Sequence, residues 1–144
     1  MIIESSGPHL AAAILCEKIL QERDETISLI RMIDRISVTV NASEAPETMP
    51  PTVINIMALI SLKSGSARGR ATVKLRTETP SGLKLPDQLF PVLFEGEDRG
   101  VNLIISINII AEQEGVYWFS VILDEQFLTS IPLRILYQRI GQSA

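Results

Sequence analysis

Aliphatic and aromatic residues in this chain come in short runs separated by polar or glycine-bearing breaks, and the pattern is plainest over residues 101–137. The runs there read Val-Asn-Leu-Ile-Ile-Ser-Ile-Asn-Ile-Ile from Val101, Val-Tyr-Trp-Phe-Ser-Val-Ile-Leu after Gly115, and Phe-Leu-Thr-Ser-Ile-Pro-Leu-Arg-Ile-Leu-Tyr after Asp124-Glu125-Gln126. Runs rich in β-branched and aromatic residues between short polar breaks predict the strands of a meander. Side chains on a strand alternate between faces. Tyr117, Phe119, Val121 and Leu123 therefore share one face, expected in the core, while Val116, Trp118, Ser120 and Ile122 share the other. Neither parity is cleanly polar in these strands.

Upstream the same alternation recurs. Residues 9–20 are apolar: Ala11-Ala12-Ala13 suits a helix, and Ile14, Leu15 and Ile19 suit either a helix or a strand. The polar break at 21–25 and the β-type run from Thr26 favour a hairpin. Over residues 26–40 the apolar parity switches near Ile33, which predicts a bulge or bend at Asp34-Arg35, since one extra residue inverts every later side chain. Pro46, Pro50 and Pro51 mark 41–51 as a loop long enough to cross between sheets. On the next strand Ile54, Ile56, Ala58, Ile60 and Leu62 share one face, and Val53, Asn55, Met57, Leu59 and Ser61 the other. A Gly/Ser turn is expected at 64–69. Then Ala71, Val73, Leu75 and Thr77 point inward and Thr72, Lys74 and Arg76 outward. Thr79-Pro80-Ser81-Gly82 has the residue order of a type I turn. Pro91 makes 90–94 an edge strand, residues 95–100 read as an exposed turn, and Pro132 implies a free edge or a bulge. Together these predict an all-β fold: a single antiparallel β-sandwich of eight or nine strands over residues 9–140, with flexible tails at 1–8 and 141–144.

The stretch from Gly115-Val116-Tyr117-Trp118-Phe119 to Asp124, followed by Leu128-Thr129-Ser130-Ile131-Pro132-Leu133-Arg134-Ile135, resembles the last hairpin of many immunoglobulin-like domains. With Cys16-Glu17, the hairpin into Ser28-Leu29-Ile30, and Pro80-Ser81-Gly82, it resembles an uncharacterised bacterial family of small intracellular immunoglobulin-like β-sandwiches over about residues 10–137. The resemblance implies the fold and carries no catalytic residue. True immunoglobulin domains differ: here there is no second cysteine, and Trp118 lies in the penultimate strand.

Composition narrows the functional classes. With 46% hydrophobic and only 5% aromatic residues in 144, the core must be mainly Ile, Leu and Val. A net charge of −4 argues against nucleic acid, whose phosphates need Lys and Arg. Lys63, Arg68, Arg70, Lys74 and Arg76 form a local basic stretch that reads as solvated strand charges. One cysteine, Cys16, excludes an intrachain disulfide. The opening Met-Ile-Ile-Glu-Ser-Ser-Gly-Pro lacks the basic start of a secretory signal, and the apolar run at 10–16 is shorter than the roughly 20 residues that span a bilayer. A cytoplasmic location without membrane association is expected.

Candidate chemistry is sparse. His9 is the single histidine, so the usual general base and commonest metal ligand is nearly missing. One Cys and one His do not make a zinc site, and Cys16 reads as an inert core thiol. Glu95, Glu97 and Asp98 cluster in one segment but lack the spacing of a calcium loop. Phosphate-loop, dinucleotide and nucleophile-elbow motifs are lacking. No cofactor, metal or small-molecule substrate is expected, and no enzymatic activity. What remains is an apolar excess on the second face of several strands: Met57, Leu59, Ile104, Ile110, Trp118 and Ile122. A sandwich standing alone in water should be polar there, and a contiguous apolar patch marks an interface. The expectation is a protein-interaction or oligomerisation module, with a protein partner or a second copy. A structural component of a phage or secretion-type assembly and a ligand binder or enzyme using loop carboxylates are the alternatives. A segment of the same chain, such as residues 10–20 as a helix, would cover that face equally well.

Overall fold

The computed structural model describes residues 6–41 and 43–141, and its regular elements are all strands: β1 (His9–Gln21), β2 (Ile27–Met32), β3 (Arg35–Asn41), β4 (Thr52–Glu78), β5 (Gln88–Ala111), β6 (Gly115–Leu123) and β7 (Gln126–Ile140). Residues 10–20 are thus strand. The run of Ala is overridden because its neighbours Ala13, Leu15 and Cys16 pair with Ile60, Ala58 and Met57 of β4. Among the described residues no helix is long and apolar enough to cross a membrane.

The strands form one sheet in the order β2-β1-β4-β6-β7-β3, with β5 alone on the other edge of β4. β4 and β5, 27 and 24 residues long, run antiparallel from Thr52↔Ala111 to Leu75↔Gln88 and act as a bent spine. The free edge of β4 is shared: β1 pairs with its leading part and β6 with its trailing part, from Val73↔Leu123 to Glu78↔Trp118. The sheet curls so that both parts enclose one core. We call them the β1 half (β2, β1, leading β4, trailing β5) and the β6 half (leading β5, trailing β4, β6, β7, β3).

The turns expected at 64–69 and 95–100 are corrected: both are bends inside continuous strands, which leaves seven strands among the described residues where eight or nine were expected. Glycine and serine permit either outcome, and the pairing across the bend resumes in the same register, Lys63↔Gly100 before it and Arg68↔Glu95 after. Gly65 sits in the bend at φ 58°, where the N-terminal segment crosses it so closely that a Cβ would collide with the Ser6 carbonyl. Gly96, at φ 89°, lies under the Arg68 guanidinium, whose Nη1 donates to the Glu95 carbonyl at 2.8 Å. The expectation of an all-antiparallel sheet is also corrected, because β3 pairs parallel to β7 from Arg35↔Arg134 to Asn41↔Ile140. At Ile33-Asp34 the chain leaves the β1 half, where β2 pairs with β1, and enters the β6 half. The parity switch marks this crossing. The following loop, 41–51, crosses back, with Met49 buried in the core and Pro46 O accepting from the Tyr137 hydroxyl at 2.6 Å.

Alternation within strands is as expected. Ile54, Ile56, Ala58, Ile60 and Leu62 from β4, Val73 and Leu75 beyond the bend, and Tyr117, Phe119, Val121 and Leu123 from β6 are all buried in one cluster with Leu133 and Ile135. The Thr79–Gly82 turn closes with Gly82 N donating to Thr79 O at 2.9 Å. Pro91 lies on β5, an edge strand, and at Pro132 the β3 side of β7 is still free, since that pairing begins at Arg134. Of the tails expected at 1–8 and 141–144, residues 1–5 and 142–144 lie outside the described residues.

Candidate functional site

The six candidate residues do not share one surface. Met57 and Leu59 alternate with the core residues Ile56, Ala58 and Ile60, so they face outward on the β1 half, and register sets Ile104 beside Leu59. Ile110, opposite Val53, lies further along the same outward face and is 64% exposed. Trp118 and Ile122 face outward on the β6 half, away from the other four. The curl separates them. Residues of equal parity on neighbouring runs point the same way only while the sheet stays flat.

On the β1 half the outward residues form an aliphatic surface. Across the sheet, one row reads Met32, Cys16, Met57, and the next Ile14, Leu59, Ile104. Cys16 is 0% exposed and Leu59 8%, yet neither belongs to the main core cluster. Cys16 was expected to be a core thiol. It is buried, but on the outward face, where the long side chains Met32 and Met57 flank it. Burial raises its pKa and its Sγ donates to Lys18 O at 3.5 Å, so the thiol stays protonated and unreactive at neutral pH. Sequence alone missed Ile14, Cys16 and Met32 as members of this surface. The signal was present as shared parity in the β1–β2 hairpin, but the register shift between Leu10 and Ala12 had to be known before β1 could be aligned with β4. Polar partners appear only at the margins: Ser61 Oγ donates to Asn102 Oδ1 at 2.6 Å, and Asn108 Nδ2 donates to Ser106 Oγ at 3.2 Å.

The outward face of the β6 half is mixed. Arg76 Nε and Nη2 donate to the two oxygens of Asp87 at 3.0 and 3.1 Å, with Lys74 Nζ 4.0 Å away. The hydrogen bond and charge of Arg76 hold the Asp87 carboxyl below its ordinary pKa. Ser120 and Ser130 share a 2.6 Å hydrogen bond. Large apolar side chains are exposed here too, but register interleaves them with charge: Leu89, Lys74, Ile122 and Phe127 make one row, and Trp118, 43% exposed, lies between Glu78 and Pro132. Of the basic stretch, Arg76 and Lys74 belong to the Asp87 cluster and Arg68 to the bend.

The residues considered for chemistry are scattered. His9 is exposed at the start of β1 opposite Lys63. Glu95 pairs with Arg99 at 3.6 Å, and among the described residues no three His, Cys, Asp or Glu side chains gather as a metal would require. An open cleft of roughly 510 Å³ lies between Arg68, Arg70 and Phe94 at the bend and Asp124-Glu125-Gln126. The Asp124 carboxylate there accepts from Thr72 N at 2.9 Å, which ties the β6–β7 turn to β4.

A model of a family of unknown function matches residues 11–136, from the start of β1 into β7. The chain belongs to this family, DUF6941. The DUF6941 match takes in β2 to β6 whole and most of β1 and β7, and agrees with the resemblance to an uncharacterised family. No curated protein matches the chain. Among solved structures it is similar to an immunoglobulin-like protein from Pseudomonas aeruginosa, at 11% identity over 91% of this chain and 98% of that one, with a TM-score of 0.45.

Proposed function

We propose that this DUF6941 chain is a non-enzymatic interaction module that receives a protein partner on the outward face of its β1 half. The observation that carries this reading is the exposed apolar side chains Met32 and Ile104 at either end of adjoining aliphatic rows, 74% and 39% exposed, on a sheet face with which no other strand pairs among the described residues. An antiparallel sheet that meets water on one face puts polar residues there. Here Ile14, Met57, Leu59 and Ile104 occupy the centre of that face, and an apolar surface of this kind fits a protein contact. The β6 half supports no equivalent reading, because Lys74, Arg76 and Asp87 interrupt its apolar residues. Membership of a larger particle is one form of the same reading. The bent β4–β5 ribbon fits an immunoglobulin-like sandwich whose two layers are joined through it.

The test is face-selective loss of binding. Partners retained by the wild-type chain from its host are compared with those retained by Met32→Lys/Met57→Lys and by Phe127→Lys. The first variant is expected to lose a partner that the second keeps. Retention by both variants, or equal loss from both, would overturn the reading.

A further inference from the structure

We infer that the trailing part of β5 is a self-pairing edge: residues 101–109 of two copies join antiparallel about a two-fold axis at Ile105, extending the β1 half into one continuous sheet across a dimer. This inference uses the backbone edge and does not rest on the apolar face.

β5 carries β4 on one side, and among the described residues its other edge pairs with no strand; an open cleft of roughly 490 Å³ separates its residues 107–110 from Leu85, Pro86 and Gln88. Free edges expose unpaired N–H and C=O groups, and monomeric proteins blunt them with short strands, charges, proline or local kinks. The other edges of this sheet carry such devices. β2 is six residues long and holds Arg31 at φ 56°. β3 is seven residues long and begins at Arg35. The leading part of β5 contains Pro91, and the bend carries Glu95, Glu97, Asp98 and Arg99. Residues 101–111 have none of these: no proline, no charge and no glycine over eleven positions, Val-Asn-Leu-Ile-Ile-Ser-Ile-Asn-Ile-Ile-Ala.

The occupant follows from the symmetry of that sequence. A two-fold antiparallel pair is isologous, so each residue meets its mirror in the copy. To keep the core-facing and outward faces continuous, paired residues must have the same parity, which places the axis on a residue. With the axis at Ile105, Leu103 meets Ile107 of the second copy and Val101 meets Ile109, all core-facing positions. On the outward face Ile104 meets Ser106, and Asn102 meets Asn108. The amides are complementary. Asn102 Oδ1 already accepts from Ser61, while its NH₂ makes no hydrogen bond among the described residues. Asn108 already donates to Ser106, while its Oδ1 accepts none among the described residues. The free donor of one copy therefore faces the free acceptor of the other, twice across the axis. Moving the axis one residue either way, to Ile104 or Ser106, sets Asn108 against Gly100 or Ile104 and no longer sets the two amides against each other. The seam places no like charges opposite each other although each copy carries −4. Strand addition at a sheet edge takes its affinity from main-chain hydrogen bonds, and an uncharged, self-complementary edge selects its own copy.

The purified full chain is expected to sediment as a dimer at micromolar concentration. Asn102→Lys/Asn108→Lys places lysine opposite lysine at both ends of the seam and should raise the dimer Kd roughly tenfold or more. Asn102→Lys/Asn108→Asp places lysine opposite aspartate at the same positions and should restore it to within a few-fold of wild type. Both positions are exposed, and melting curves check that the variants fold. In a Cys16→Ala background, mixed Asn102→Cys and Asn108→Cys chains should oxidise to a covalent dimer. Either chain alone should not, because its own two thiols lie roughly 20 Å apart in this register. A monomer at every concentration would overturn the inference. So would a dimer indifferent to Asn102→Lys/Asn108→Lys and not captured by the cysteine pair, and that result would leave the face reading, tested at Met32 and Met57, intact.

Discussion

The outward faces of the two halves are built on the same alternation and differ in what occupies the alternate positions. On the β6 half, Asp87 binds Arg76 and Lys74 and Ser120 bonds Ser130, so polar groups are satisfied within the face and interrupt its apolar ones. On the β1 half, Ile14, Cys16, Met57, Leu59 and Ile104 adjoin one another, with hydrogen bonds only at the margins. Exposed apolar side chains are common on any protein surface. The comparison shows that the two faces differ in the contiguity of their apolar residues more than in their number. Trp118, the most conspicuous residue in the sequence, falls on the solvated side.

The largest effect that would sharpen this contrast comes from a charge placed at the centre of each face. Leu59→Lys should cost about 3 kcal/mol, because the ammonium is forced among aliphatic neighbours without a partner, and thermal melting should fall by roughly 10 °C. Ile122→Lys, half-buried in the interleaved row, should cost only about 1 kcal/mol. Equal losses would erase the distinction between the faces.

A smaller effect belongs to Cys16. Cys16→Ser buries a hydroxyl in place of a thiol and should cost about 1–2 kcal/mol in urea unfolding. The thiol also sets a pH dependence. Burial raises its folded pKa above the unfolded value, which is near 8.5. Its contribution is thus full below that pH and is lost as pH rises through the folded value. Cys16→Ala should flatten this alkaline decline in melting temperature. An unchanged slope would show that the face does not shield the thiol.

The smallest effect is on the β6 half. The hydrogen bond from Arg76, aided by its charge, depresses the Asp87 pKa. The stabilisation is therefore present above the unfolded value, about 3.9, and is lost as pH falls through the folded one. Asp87→Asn should narrow the difference in melting temperature between pH 7 and pH 3 by a few degrees or less, as fits an accessible pair. No narrowing would mean that the cluster leaves this face no more self-satisfied than the other.

Much of the fold was legible because strand parity is a local property. Ile54 to Leu62, Val73 and Leu75, and Tyr117 to Leu123 face the core as their alternation requires. The break at Ile33-Asp34 and the crossing role of the 41–51 loop were also readable, from a parity switch and from prolines. The bends at 64–69 and 95–100 were not, because glycine and serine serve a turn and a bend equally and only the pairing across them decides. The candidate surface was half legible. Met57, Leu59 and Ile104 carried the right parity, but Ile14, Cys16 and Met32 joined them only through inter-strand register, and Trp118 and Ile122 left them through the curl.

The sequence by itself determined an all-β chain, the inward and outward faces of each strand, and an aliphatic excess with little catalytic chemistry, since these follow from residue type and from a period of two. Only the tertiary structure decided that β4 and β5 run unbroken, that β3 lies parallel to β7, and that the aliphatic residues of the β1 half adjoin one another across its outward face. Those features depend on which distant residues pair, Thr52 with Ala111 and Arg35 with Arg134. Pairing is set by the summed fit of whole strands around a shared core, a quantity that no local window of the chain contains.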